Sequence, residues 1–246
     1  SAMNAYRERF PHIPASKFTV IENGYDEDGF DAKALAVPAQ ATSGRRITLL
    51  HSGVLYQTGR DPSAFFQAIA AMKNAGTTDA ARLRVVLRAP GEVEQVAALA
   101  QRHGVDDIVE VLPPIPYKEA LQEMMAADGL LVFQGTPFNT QIPAKIYEYF
   151  RARKPIMGLV DPAGETARVL RAAGFASVAS MDSGDAIAPV LARFVGEIEN
   201  GEAYVATDEL VAASSRTHRA GQLASVLQQA VLEEAVRPAL RPRVGG

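Results

Sequence analysis

The sequence predicts an α/β fold, a Rossmann-like, doubly wound and mostly parallel sheet, and two observations carry that prediction. From Arg46 to about residue 200, short apolar runs alternate with amphipathic stretches of helical length, six times in about 155 residues. The runs themselves (Ile47-Thr-Leu-Leu50, Leu83-Arg-Val-Val-Leu87, Leu130-Leu-Val-Phe133 and Pro155-Ile-Met-Gly-Leu-Val160) are mainly apolar at successive positions, as strands covered on both faces must be.

The elements follow in order. Residues 4–17 hold a short helical piece broken by Pro11 and Pro14, and Phe18-Thr-Val-Ile-Glu22 predicts a strand closed by the Asn23-Gly24 turn. Residues 25–43, acidic and then rich in Pro, Ala and Ser, read as a linker. The strand from Ile47 runs into His51-Ser-Gly53, and Asp61-Pro62 opens a helix to about Asn74. After the strand at 83–87, a helix from Glu92 to His103 stops at Gly104. Strand 108–112, helix 117–127, strand 130–133, helix 143–152, strand 155–160, helix 164–173, strand 175–179 and helix 185–199 complete the series. Residues 203–236 read as one or two helices, with a frayed Arg/Pro/Gly-rich end at 237–246. The expected organisation is therefore an interdomain segment and linker at 1–43, a Rossmann-like domain at 44–202, and C-terminal helices with a tail at 203–246.

Composition narrows the function classes. The chain has 246 residues, 48% hydrophobic and 22% charged, enough to bury a sizeable core. Its 25 Lys and Arg against 28 Asp and Glu leave a net charge of −3, which gives no basic footprint for nucleic acid. With no cysteine, thiolate catalysis, disulfides and Cys-ligated metals are excluded. The four histidines show no metal-binding spacing, and no apolar run approaches the ~18 residues of a membrane span. A cytoplasmic protein without metal or cofactor is the expectation.

On such sheets, ligands bind beyond the carboxyl ends of the strands, where helix N-termini aim free N–H groups. GxGxxG, GxxxxGK[ST] and GxSxG are absent, which argues against a standard dinucleotide enzyme, a P-loop NTPase and an α/β-hydrolase. The informative stretch is Thr140-Gln-Ile-Pro-Ala-Lys-Ile-Tyr-Glu-Tyr-Phe-Arg-Ala-Arg-Lys-Pro-Ile156. Pro143 suits a first helical position, and Thr140 or Gln141 is placed to cap it. Ile142, Ile146, Tyr149 and Phe150 share one face at helical spacing. Lys145 and Glu148, three apart near the N-terminus, form either an anion-and-ribose site or a surface ion pair worth a few tenths of a kcal/mol; spacing leaves both open. His51 ends a strand at the cleft, facing a ligand or satisfied within the core. Asp26-Glu-Asp28 is formally a DxD, read here as solvated acid. Arg216, His218 and Arg219 give the C-terminal helix a basic face.

The 140–156 stretch resembles the donor-site helix of retaining GT-B glycosyltransferases of the group 1, or family four, type. Glu148 matches the second Glu of that family's motif, and Lys154-Pro155-Ile156 the Lys-Pro and strand that follow. Three further segments are similar in the same order: Val20-Ile-Glu-Asn-Gly-Tyr-Asp26; His51-Ser-Gly-Val-Leu-Tyr56 through Gly59-Arg60-Asp-Pro62; and Val111–Tyr117 with Ala126-Ala-Asp128. The resemblance spans roughly residues 5–200. Thr140 stands where the family has its first Glu, which touches the transferred sugar, and Arg88-Ala-Pro-Gly91 replaces a glycine-rich turn.

The resemblance implies the donor-binding half of an enzyme that moves a sugar, with retention, from a UDP-, GDP- or ADP-linked donor to an acceptor. The acceptor domain would lie outside this chain, leaving the fragment inactive alone and lacking acceptor-side catalytic groups. Any peripheral membrane association would come through that domain. Nucleotide-sugar binding is expected at Glu148, Lys145, Arg60, Gly53, Thr140, Gln141, Ile115 and Tyr117, with Ile115 to Tyr117 lining the base pocket or Tyr117 starting its helix as a core residue. A nucleotide-sugar epimerase half and a non-catalytic nucleotide-binding module are the alternatives.

Overall fold

Strands β1 (Ile47–Ser52), β2 (Leu83–Arg88), β3 (Val109–Leu112), β4 (Gly129–Gln134), β5 (Ile156–Val160) and β6 (Val178–Ala179) form one sheet in the order β3-β2-β1-β4-β5-β6. Every pairing is parallel. This is a computed structural model, and it describes residues 2–30, 44–56 and 58–236. The chain winds outward from β1 to β3, returns to lay β4 beside β1, and winds out the other way. The carboxyl ends of β1 and β4 thus flank a crevice at the point where strand order reverses.

Alternate strand residues feed two separate cores, because successive side chains leave a strand on opposite faces. Leu49, Val85 and Leu131 pack with α2 (Ser63–Asn74), α3 (Val93–Arg102) and α7 (Gly184–Glu199). Leu50, Val86 and Leu130 pack with α4 (Tyr117–Ala126), α5 (Lys145–Ala152), α6 (Glu165–Ala172) and α8 (Asp208–Ala213). Gly129 opens β4 under α7. A Cβ there would lie 2.9 Å from both Ile198 Cδ1 and Leu49 Cδ2 and 3.0 Å from Phe194 Cε1. The missing side chain is what lets the helix settle on the strand.

The N-terminal region departs from expectation. Helix α1 (Ala2–Arg9) leads it, but Phe18–Glu22 is extended without strand pairing. Its alternation lacks a neighbouring strand. The nearest backbone pairing comes at Tyr25, which bridges to Ser215 in the turn between α8 and α9 (Arg216–Val236). Tyr25 N donates to the Ser214 carbonyl at 3.1 Å, and Arg216 N donates to the Tyr25 carbonyl at 2.9 Å.

The acidic stretch that follows is docked rather than freely solvated. Tyr25 and Phe30 are buried in the second core, Arg151 lies over both rings while pairing with Glu27, and Asp26 pairs with Arg216 at 3.0 Å. These contacts replace the expected linker over residues 25–30. The rest of that stretch, 31–43, and the tail at 237–246 lie outside the described residues. The expected strand at 175–179 shortens to β6, and the expected helix at 143–152 begins at Lys145.

Candidate functional site

Lys145 is the first residue of α5, and its side chain reaches back over the end of β1. Nζ donates to the Ser52 carbonyl at 2.5 Å. Gly53, next along the chain, has φ +140°, and a Cβ there would collide with that same Nζ. Glycine therefore serves twice at this position, in backbone conformation and in clearance. Burial pushes the Lys145 ammonium down to about 8, the neighbouring Arg60 charge adds to the shift, and Glu148 opposes it. A buried cation with one carbonyl partner is under-compensated, and an arriving anion would stabilise it.

Arg60 is held without spending its charge on a carboxylate among the described residues. Its Nε and Nη2 donate to Gln134 Oε1 at 3.2 and 2.9 Å, and its guanidinium carbon lies 5.3 Å from the ring centroids of both Tyr56 and Phe138. Ring faces favour a cation and hold the fork in place. The loop carrying it is tied down where Gly135 N donates to the Gly59 carbonyl at 2.7 Å. Gln134, Tyr56 and Phe138 fall within the segments that follow β4 and β1 but are not singled out as site residues by the sequence. Their one visible signal is that Gln134 is a buried amide closing an otherwise apolar strand.

His51 lies beneath this pair of cations, 1% exposed. Its Nδ1 stands 2.9 Å from the Leu131 carbonyl on β4, and its ring meets Phe133 edge-on at 4.9 Å. A carbonyl only accepts, so Nδ1 donates to Leu131, and the Gly53 backbone is a second hydrogen-bonding group that bears on the ring. Nε2 itself meets no partner at hydrogen-bond geometry among the described residues. Burial first, and the Lys145 charge second, hold the imidazole well below its ordinary pKa.

Glu148, one turn along α5, is half-buried and accepts from the Tyr117 hydroxyl at 2.9 Å. Tyr117 is 55% exposed at the start of α4, which corrects its reading as a helix-start core residue. Burial and the Glu148 bond push its phenol up to about 12. Ile115 sits half-buried just before it. Thr140 and Gln141 are exposed, and no side chain caps α5. That corrects the expected capping, and the reason lies in the loop. Gln141 N donates to the Phe138 carbonyl at 2.9 Å, and its own carbonyl accepts from Thr166 Oγ1 at 3.1 Å, which turns it toward α6. Asp161, at the end of β5, secures the same loop by accepting from Asn139 Nδ2 at 2.6 Å and Thr136 Oγ1 at 3.1 Å. The Asn139 bond leads the causes that hold its carboxyl below the usual range.

Lys145, Arg60 and Gly53 thus meet at the β1–β4 crevice, with Glu148 and Tyr117 joined to each other a turn away. Thr140 and Gln141 stand on its outer loop. Among the described residues no group of three or more His, Asp and Glu could hold a metal ion, and no helix is long and apolar enough to cross a membrane.

Neither a protein-family model nor a curated protein matches the sequence. Solved structures match the fold. A sucrose-phosphate synthase from Thermosynechococcus elongatus aligns with TM-score 0.61 at 18% identity, over 95% of this chain and 57% of that one. WaaG, a glycosyltransferase involved in lipopolysaccharide biosynthesis, gives 0.59 at 15% identity, over 86% and 55%. An α,α-trehalose 6-phosphate synthase from Burkholderia multivorans gives 0.59 at 15%, over 86% and 46%. The chain spans about half the length of each. Its fold is that of one Rossmann-like half of the GT-B glycosyltransferases.

Proposed function

We propose that this chain is the donor-binding half of a retaining glycosyltransferase, acting on a nucleoside-diphosphate sugar in the cytoplasm with an acceptor domain outside the sequence given. The observation that carries the reading is the convergence of Lys145 and Arg60, neither paired with a carboxylate among the described residues, on the crevice at the N-terminus of α5. As a glycosidic bond to a diphosphate breaks, negative charge grows on the leaving oxygens. Two fixed cations, with the positive end of the α5 dipole, would stabilise that charge in place, with no reorganisation at the moment of reaction. Glu148, one turn on, would accept from the ribose hydroxyls and so fix the donor's register. Tyr117, bonded to Glu148, and Ile115 two residues before it would line the base. Since the protein's own cations compensate the diphosphate, binding is expected without added divalent metal.

Calorimetric titration with UDP, GDP and ADP tests the reading, and one of them is expected to bind. Glu148→Ala should weaken it at least tenfold, because bonds to a charged group contribute about 1.5–3 kcal/mol each. The same variant should leave inorganic diphosphate binding unchanged, whereas Lys145→Ala should weaken both ligands. A Glu148→Ala protein that binds nucleotide as well as the parent would remove α5 from the donor site.

A further inference from the structure

Arg60 is held by a different kind of partner from four other arginines of the fold. In Arg82, Arg88, Arg151 and Arg168 the Nε–Nη2 edge of the guanidinium grips a glutamate, respectively Glu199, Glu123, Glu27 and Glu165. Arg60 turns the same edge to the side-chain amide of Gln134, at 3.2 Å from Nε and 2.9 Å from Nη2. A guanidinium only donates, so the amide must face it with Oε1, which leaves Nε2 to donate to the Phe138 carbonyl at 3.5 Å. Gln134 is buried at the end of β4, whereas Arg60 is only half-buried. We infer that Gln134 is a positioning residue for the anion: its neutral amide aims Arg60 into the crevice and leaves the full guanidinium charge to the diphosphate. The inference rests on the donor-site reading above.

A carboxylate at position 134 would bind the arginine more strongly, because charge-assisted hydrogen bonds are roughly twice as strong as neutral ones. It would also oppose the guanidinium field at close range, and an arriving anion would compete with it. The amide oxygen satisfies the same edge without that opposition. The rings of Tyr56 and Phe138, each 5.3 Å from the guanidinium carbon, add hold and again bring no formal negative charge. Among the described residues nothing accepts from Nη1, so that nitrogen is left for a ligand. The charge is felt inside the crevice, where it is the next cause after burial that lowers the Lys145 ammonium. Two like charges kept this close disfavour each other, and an anion between them relieves both.

Two variants separate aim from charge. Gln134→Glu keeps the shape and adds a negative charge, whereas Gln134→Met keeps the length and removes both bonds without adding one. Inorganic diphosphate, UDP, GDP and ADP are titrated calorimetrically into the parent and both variants at low and at high salt. Gln134→Glu is expected to weaken inorganic diphosphate at least tenfold at low salt, and any nucleotide that binds by a similar factor. Gln134→Met, in which Arg60 keeps its charge and loses its aim, should weaken them by about threefold. Added salt should weaken binding less in Gln134→Glu than in the parent, because one cation fewer attracts the ligand, and as much as in the parent in Gln134→Met. A residue that merely supported β4 would weaken binding without moving the salt dependence.

A Gln134→Glu protein that binds inorganic diphosphate within twofold of the parent overturns the inference. So does equal weakening in the two variants, or a salt dependence that the added charge leaves unchanged. Should Gln134→Glu not fold, Gln134→Met decides: weakening with the parent's salt dependence supports the inference, and an affinity equal to the parent's overturns it. A parent that binds neither inorganic diphosphate nor any nucleotide overturns the donor-site reading, and this inference with it, before any variant is compared. A parent that binds them, with variants that bind them equally well, overturns this inference alone.

Discussion

Lys145 sets the clearest expectations at the scale of one residue. Its ammonium sits at about 8 when folded, against 10.5 for an exposed lysine. Below pH 8 both folded and unfolded chains carry the charge, and the full cost of burying it is present. Between about 8 and 10.5 the unfolded chain binds a proton that the folded one lacks, so stability rises with pH across that window. Lys145→Met should accordingly raise stability at pH 7 by on the order of 2 kcal/mol, and the gain should vanish by about pH 10.5. Urea unfolding at pH 7 and pH 10.5 measures both; a variant no more stable at pH 7 would mean that the Ser52 carbonyl compensates the charge fully. Ligand affinity should run the other way. A diphosphate binds the charged form, so nucleotide affinity should fall as pH climbs past 8, and Lys145→Arg should flatten the profile because guanidinium stays charged. An unchanged affinity for the parent between pH 7 and 9.5 would separate Lys145 from the anion.

At the scale of elements, glycine placement decides how the layers meet. Gly129→Ala puts a methyl within 3.0 Å of Leu49, Phe194 and Ile198 and should destabilise by roughly 1–3 kcal/mol through overpacking. Gly196, on α7 itself, has open space around its Cβ position, so Gly196→Ala should stabilise by about 0.5–1 kcal/mol. Thermal melts of the two variants should shift in opposite directions, and a shared direction would misplace α7 on the sheet. The strands were legible because a segment covered on both faces has apolar residues at nearly every position. The same kind of evidence misled at Phe18–Glu22, since pairing depends on a neighbour the local pattern cannot reveal. Within the candidate site, the Lys145–Glu148 spacing was readable as one helix turn. Two tertiary contacts were not: Lys145 with Ser52, 93 positions away, and Arg60 with Gln134, 74 away. The capping expected of Thr140 and Gln141 failed because residues of the loop and α6 had already engaged Gln141.

At the scale of the whole molecule, the segment ahead of the sheet acts as part of the second core. Tyr25 and Phe30 are buried there, and three ion pairs (Glu22 with Arg219, Asp26 with Arg216, Glu27 with Arg151) fasten the stretch to α5 and α9. Ion pairs at least partly open to solvent contribute little each, about 0–1 kcal/mol, so the two rings should dominate. Truncating a buried aromatic costs about 3–5 kcal/mol, and each kcal/mol moves the midpoint of a 150–250-residue domain by roughly 2–4 °C. Tyr25→Ala or Phe30→Ala should therefore lower Tm by about 6–20 °C. A chain beginning at Arg45 should lose at least as much. Glu27→Gln, which removes a half-exposed partner while leaving both rings in place, should shift Tm by no more than about 4 °C. Differential scanning calorimetry of the four proteins separates an integral strap from a tethered linker. If the chain starting at Arg45 melted where the full chain does, the contacts of Tyr25 and Phe30 would contribute nothing to the fold, and the second core would close on α4, α5, α6 and α8 alone.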